Sequence, residues 1–147
     1  MRDLDIGFSI KKINDFLQKN ADKSMKEMNL TFSQHHVLVY LIHCENNEAS
    51  LKTVEKEFKV SQATMAGIVK RLEEKGMLES YTLKNDKRAK ILKLTDKGFK
   101  LCQESKKKMI GFEKKIKSLY NKDELNNFMD YLDRLYKVLE KGDDWLC

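Results

Sequence analysis

Proline is absent from the 147 residues, and with it goes the usual punctuation of loop-rich and all-β folds. Long, uninterrupted helices are the expectation. Cysteine is scarce: Cys44, Cys102 and Cys147 are odd in number and unpatterned in spacing, which excludes a disulfide framework. The longest apolar run, residues 37–42, is six residues, against the roughly 18 needed to span a bilayer. Nor does the start at Met1, Arg2 and Asp3 lead into the apolar stretch of a secretory signal. The expected location is therefore the cytoplasm, with no membrane partner. Catalytic signatures are missing as well: there is no phosphate-cradling glycine loop, no zinc-protease helix and no cysteine pair at ligand spacing. No enzyme and no cofactor are expected.

What is present is charge. Hydrophobic residues make up 41% and charged residues 35%, the balance of a soluble, helix-rich globular chain. The length suits one domain, or one protomer of a small oligomer. Residues 50–100 hold 13 Lys and Arg against 7 Asp and Glu, while the remainder holds 16 against 16, so the whole excess of +6 lies in the middle third. A basic segment between neutral ones is an electrostatic footprint for a polyanion, although a lysine-rich solvated surface has the same composition.

Periodicity organises the rest. Across residues 5–28, Ile6, Ile10, Ile13, Leu17, Ala21 and Met28 form one stripe of a helix that would be roughly 36 Å long. Ser33 is the expected cap of a second helix carrying Val37, Leu38, Leu41 and Ile42, apolar on most sides and hence central. Residues 45–48 close it. A short helix over residues 51–58 and another over residues 61–75, the latter capped by Ser61 and stopped at Gly76, describe a helix-turn-helix. Met65, Ile68, Val69 and Leu72 form the apolar face of its second helix. Strands are expected over residues 78–83 and 90–94, with a hinge over 84–89 turning at Asn85 and Asp86. Helix-turn-helix plus hairpin make a winged helix.

Thr95 caps a further helix to about Tyr120, with Cys102, Met109, Phe112, Ile116 and Leu119 on one face. Asn121 and Glu124 resemble a capping box before a last helix striped by Leu125, Phe128, Leu132, Leu135 and Leu139. Residues 142–147 read as a loose tail. The expected fold is mainly α with a small β-hairpin wing. Residues 1–30 and 100–147 form a helical dimerisation region around a winged helix-turn-helix DNA-binding domain over 31–99. The first helix and the last two carry more apolar stripe than one winged helix covers. A second copy of the chain would cover it, as would an intramolecular bundle.

The helix opening at Ser61, Gln62, Ala63 and Thr64 presents short polar side chains at an end whose amides are free. Such ends attract phosphate, and their first turns reach base edges in the major groove. Gln62 suits an adenine edge and Lys70 a phosphate. At the wing, Lys87 and Arg88 are two cations on a hairpin thin enough for a minor groove, where arginine senses narrow A·T tracts. Asp86 would hold Arg88 by an ion pair. A capped surface helix and a charged hairpin tip also occur in proteins that bind no nucleic acid; here the two follow each other at a spacing that lets both touch one duplex.

Leu30-Thr31 with Gln34, Val60-Ser61 with Thr64, Arg71-Leu72-Glu73, Gly76-Met77-Leu78, Asp86 with Arg88, and Leu94-Thr95 with Gly98 occur in this order along the chain. In that order and spacing the chain resembles the multiple-antibiotic-resistance regulator (MarR) family of winged-helix repressors over essentially its whole length. The resemblance implies a homodimer that binds a palindromic operator in double-stranded DNA and is released by a small phenolic or anionic effector. It implies an effector site near the first, second and fifth helices, where Lys11, His36 and Tyr40 are the candidate contacts. Ser33 departs from the proline the family often has. Glu55 stands where a small residue usually lets two helices approach, and Ser80 where a basic residue is common. Gly67 stands in the recognition helix where a long side chain is frequent, and with Ser80 it implies fewer DNA contacts than average.

Relatives also sense metals and peroxide. Here His36 and His43 are seven residues apart, roughly 10 Å along a helix and too far to share one ion, and His35 lies off their face. The first helix holds no cysteine; Cys44 and Cys102 fall on apolar faces, where cysteine is usually inert. The function expected is a dimeric, ligand-responsive repressor. The alternative is a winged-helix protein-interaction module whose basic face meets an acidic partner; the polar turn at Ser61 and the wing Arg88 favour DNA.

Overall fold

The computed structural model describes residues 5–83 and 86–140, with residues 86–88 described by their backbone alone. Among these the chain forms α1 (Ile6–Glu27), α2 (Phe32–Ile42), a 3-10 turn (Glu45–Asn47), β1 (Glu48–Ser50), α3 (Leu51–Phe58), α4 (Gln62–Glu74), β2 (Leu78–Leu83), β3 (Asp86–Leu94), α5 (Asp96–Lys117) and α6 (Lys122–Glu140). The expected class, mainly helical with a small β wing, is the one observed. The chain divides into two compact units, Met1–Glu104 and Ser105–Cys147, with the boundary inside α5.

The core of the first unit is built on α2, whose Val37, Leu38 and Leu41 are completely buried. Val54 of α3, Leu92 of β3 and Met65, Val69 and Leu72 of α4 close around them. Each such side chain removed from water contributes about 1.5–3 kcal/mol. Three of the four residues expected on the inner face of α4 are buried, and Ile68 packs half-buried against the cluster. Burying this face turns the opposite side of α4 outward.

Local chemistry sets the helix ends. The Ser33 cap expected for α2 is overturned: Thr31 is the cap. Its hydroxyl accepts from the Gln34 amide at 3.2 Å, and the Gln34 side chain accepts in return from the Thr31 amide at 3.2 Å. This reciprocal box satisfies two free amides at once, which a lone serine cannot do. Gly76 stops α4 as expected, at φ 67°. Its amide bonds the Glu73 carbonyl, and the Met77 amide bonds that of Leu72; only the left-handed backbone, cheap for glycine, allows both. Thr95 caps α5 by accepting from the Gly98 amide at 3.1 Å. Asn121 and Glu124 form the reciprocal pair expected ahead of α6.

The sheet differs from expectation in two respects. It has three strands in the order β1-β3-β2, all antiparallel, and β1 was not foreseen. Three residues are too few to show alternation, and β1 exists because Glu48, Ala49 and Ser50 pair with Lys93, Leu92 and Ile91. The second wing strand starts at Asp86 and not Lys90, because pairing with β2 continues through an irregularity to Leu83↔Asp86. Asp86 to Ala89 are therefore strand and not hinge. Lys84 and Asn85 of the expected turn lie outside the described residues, as does the tail over 142–147 with Cys147.

No residue of α1 or α6 is buried, and in α5 only Gly98 and Cys102 are. The stripe foreseen on α1 is exposed from Ile6 to Ala21; Cys102 of the α5 stripe is buried, and Leu125, Phe128 and Leu135 of the α6 stripe are half-buried.

Candidate nucleic-acid interface

Ser61 leaves the turn after α3 in an extended conformation, and its Oγ accepts from the Thr64 amide at 3.2 Å. The two hydroxyls also meet at 2.9 Å. The turn itself passes through Lys59 at φ 52°, a left-handed residue that lets α4 set off at a sharp angle from α3. Ser61, Gln62, Ala63, Thr64, Gly67 and Lys70 are all exposed, so the residues singled out in the sequence share the outward side of one helix. At Gly67 a Cβ would meet nothing within 4 Å, which makes this stretch of the face flat and open.

A cleft of about 500 Å³ adjoins the start of α4. Ser50, Lys52 and Glu55 line it from α3 and its cap, Gln62 from α4, and Ala89 and Lys90 from β3. Sequence reasoning missed Ser50, Lys52 and Lys90 as members of one site. Ser50 had a readable signal, since it caps α3 by accepting from the Thr53 amide at 3.1 Å. Lys90 had none, because its place depends on the pairing of β3.

The wing is tied down at its base. The Tyr81 hydroxyl donates to Glu48 at 3.0 Å, and Lys93 stands 3.8 Å from the same carboxylate, so one acidic side chain links all three strands. The Ser80 hydroxyl donates to Glu73, spending the hydroxyl on α4 and fixing β2 against it. The side chains of Asp86, Lys87 and Arg88, and with them the expected ion pair, lie outside the described residues. Lys75 anchors the far end of α4, donating to the Asn29 carbonyl and, at 3.0 Å, to Gln34.

Of the three candidate effector contacts, two come together. His36 lies edge-on to Phe58 at 5.0 Å and Tyr40 at 5.7 Å, so both pack on one ring. Lys11 instead pairs with Asp15 on its own helix at 2.5 Å. Burial, with a smaller push from His36, lowers the pKa of His35 below the usual histidine value. The Cys44 thiol donates to the Tyr40 carbonyl at 3.4 Å. Burial pushes the Cys102 thiol up to about 11, which keeps it protonated and unreactive at neutral pH. Among the described residues no group of His, Cys, Asp and Glu could hold a metal ion, and no helix is long and apolar enough to cross a membrane.

The chain is similar to known regulators over most of its length. It is 31% identical over 130 residues to the HTH-type transcriptional regulator BilQ of Clostridioides difficile (strain CD3), covering 86% of this chain and 79% of that protein. Among solved structures it is similar to the S. aureus MepR–DNA complex, with a TM-score of 0.82, 21% identity and coverage of 90% of this chain and 98% of that one. It is also similar to the YusO protein from Bacillus subtilis, with a TM-score of 0.79, 20% identity and coverage of 90% and 93%. These two likenesses establish the fold, the winged helix read from the motifs. The family model of the transcriptional regulators SarA/Rot matches residues 19–105, from the second half of α1 to the middle of α5, and the chain belongs to that family of transcriptional regulators.

Proposed function

We propose that the protein is a homodimeric, sequence-specific DNA-binding repressor of the cytoplasm that acts on a palindromic operator and responds to a small phenolic or anionic effector. The observation that carries the reading is the outward, Ser61-capped start of α4 beside a cleft flanked by Lys52 and Lys90. A capped helix end offers amides and a positive dipole to phosphate, and its first turn is narrow enough for a major groove. The charge excess of the chain falls within residues 50–100, the stretch that holds α4. MepR, whose fold this chain shares, has been crystallised in complex with DNA. Residues 1–30 and 100–147 are the proposed dimerisation region, and Lys11, His36 and Tyr40 the proposed effector contacts. The effector itself rests on the family resemblance and on the aromatic cluster around Phe58.

In this reading Ser61, Gln62, Ala63, Thr64, Gly67 and Lys70 face the major groove, while Lys87 and Arg88 meet the minor groove, with Asp86 steadying Arg88. Salt titrations on operator DNA with A·T and G·C flanks separate the two roles. Gln62→Ala is expected to relax preference at one or two positions per half-site by about 1–3 kcal/mol. Arg88→Ala is expected to weaken binding to every duplex, to lower the log–log salt slope by about 0.9 and to erase preference for A·T flanks. An Arg88→Ala protein with unchanged slope and flank preference would remove the wing from the interface.

A further inference from the structure

Glu55 is the residue in the cleft that the DNA-binding reading leaves unexplained. It stands on α3, and its Oε1 is buried with no hydrogen-bond partner among the described residues. A carboxylate oxygen shut away from water without a donor is costly, and negative charge beside DNA is costlier still. Across the same cleft is Gln62, the first residue of α4. Glutamine carries one acceptor and two N–H donors, more than a single base edge uses.

We propose that Glu55 becomes a positioning residue for Gln62 on DNA: the free chain leaves the Glu55 Oε1 without a partner among the described residues, and docking brings one N–H of the Gln62 amide to the carboxylate, which then fixes the way that amide faces. This rests on the DNA-binding reading and deepens it. Adenine presents N7 as acceptor and its N6 amine as donor in the major groove. Gln62 meets them with one N–H and its Oε1, which leaves the second N–H for Glu55. Guanine presents two acceptors, N7 and O6. Satisfying both would take both N–H groups, strip Glu55 of its donor and leave Oε1 facing nothing. Glu55 therefore converts a permissive glutamine into one that favours adenine over guanine. Lys52 and Lys90 at the rim of the cleft meet the phosphates on either side and offset the carboxylate's charge.

The test uses the full-length protein and duplexes it selects from a random library, with each half-site adenine then replaced by guanine. Wild type should discriminate by roughly tenfold or more at one position per half-site. Glu55→Ala should shrink that ratio to about twofold while the protein melts no lower than wild type. Gln62→Ala should do the same, and Glu55→Ala/Gln62→Ala should lose no more discrimination than Gln62→Ala alone. Glu55→Gln, which keeps an acceptor, should restore most of the ratio. Unchanged discrimination in Glu55→Ala, or additive losses in the double variant, would overturn the role of Glu55. A uniform gain in affinity for every duplex with preferences intact would do so too, since it would mean that the carboxylate only repels phosphate. If wild type selects no sequence at all, the DNA-binding reading itself fails.

Discussion

Leu132→Asp combined with Leu135→Asp is expected to turn a dimer into a monomer and to abolish specific DNA binding with it. Both leucines lie on α6, where no side chain is buried. Leu132 is 41% exposed and Leu139, two turns further along the stripe, 62%. Apolar faces of this extent on α1 and α6 are not left in water by a stable soluble protein, and a two-fold partner presents the same stripe in return. Symmetry counts each substitution twice, so four leucines leave the interface, each contributing about 1.5–3 kcal/mol when buried. Four carboxylates would enter it without partners. Light scattering should show the variant at monomer mass with its helical circular dichroism retained. A wild-type protein that is itself a stable, well-folded monomer at micromolar concentration would contradict the dimer.

Two glycines on helices are expected to respond to alanine with opposite signs. A Cβ on Gly98 would stand 2.2 Å from the Met77 carbonyl oxygen and 2.8 Å from Leu94 Cδ1. The carbonyl is backbone, and it also accepts from the Thr95 amide at 3.2 Å, so it cannot retreat without breaking the junction that seats α5. Gly98→Ala should cost about 2–3 kcal/mol, in the usual range for overpacking. At this chain length that lowers Tm by roughly 5–10 °C. Gly67 meets nothing within 4 Å, and Gly67→Ala should raise stability by up to about 1 kcal/mol through helix propensity alone. Thermal melts of the two variants read both effects; a neutral Gly98→Ala would show that the close approach of α5 to Met77 is not as tight as described.

What the sequence disclosed follows from how local each determinant is. The bounds of α3 and the cap at Ser61 rest on neighbours within four residues, and both were legible. Thr31 was passed over for Ser33 because a single cap residue was weighed where a reciprocal pair with Gln34 decides the matter. β1 and the first residues of β3 are strand only because of partners some 40 residues away or across the wing, which no periodicity records. For the candidate site, the outward face of α4 followed directly from its apolar one. The cleft did not, since Lys52, Glu55, Gln62 and Lys90 come from three elements joined by tertiary pairing. Glu55 was visible in the sequence as a departure, but its buried oxygen was not.

Equilibrium binding to a selected operator, intact and with one half-site scrambled, tests the account most directly. A dimer that presents two α4 helices about one turn of DNA apart requires half-site centres roughly 10 base pairs apart. Scrambling one half-site should then remove most of the affinity, and changing the spacing by half a turn should do the same. A single half-site bound as tightly as the palindrome, or equal affinity for random duplex at physiological salt, would contradict a symmetric, sequence-reading dimer.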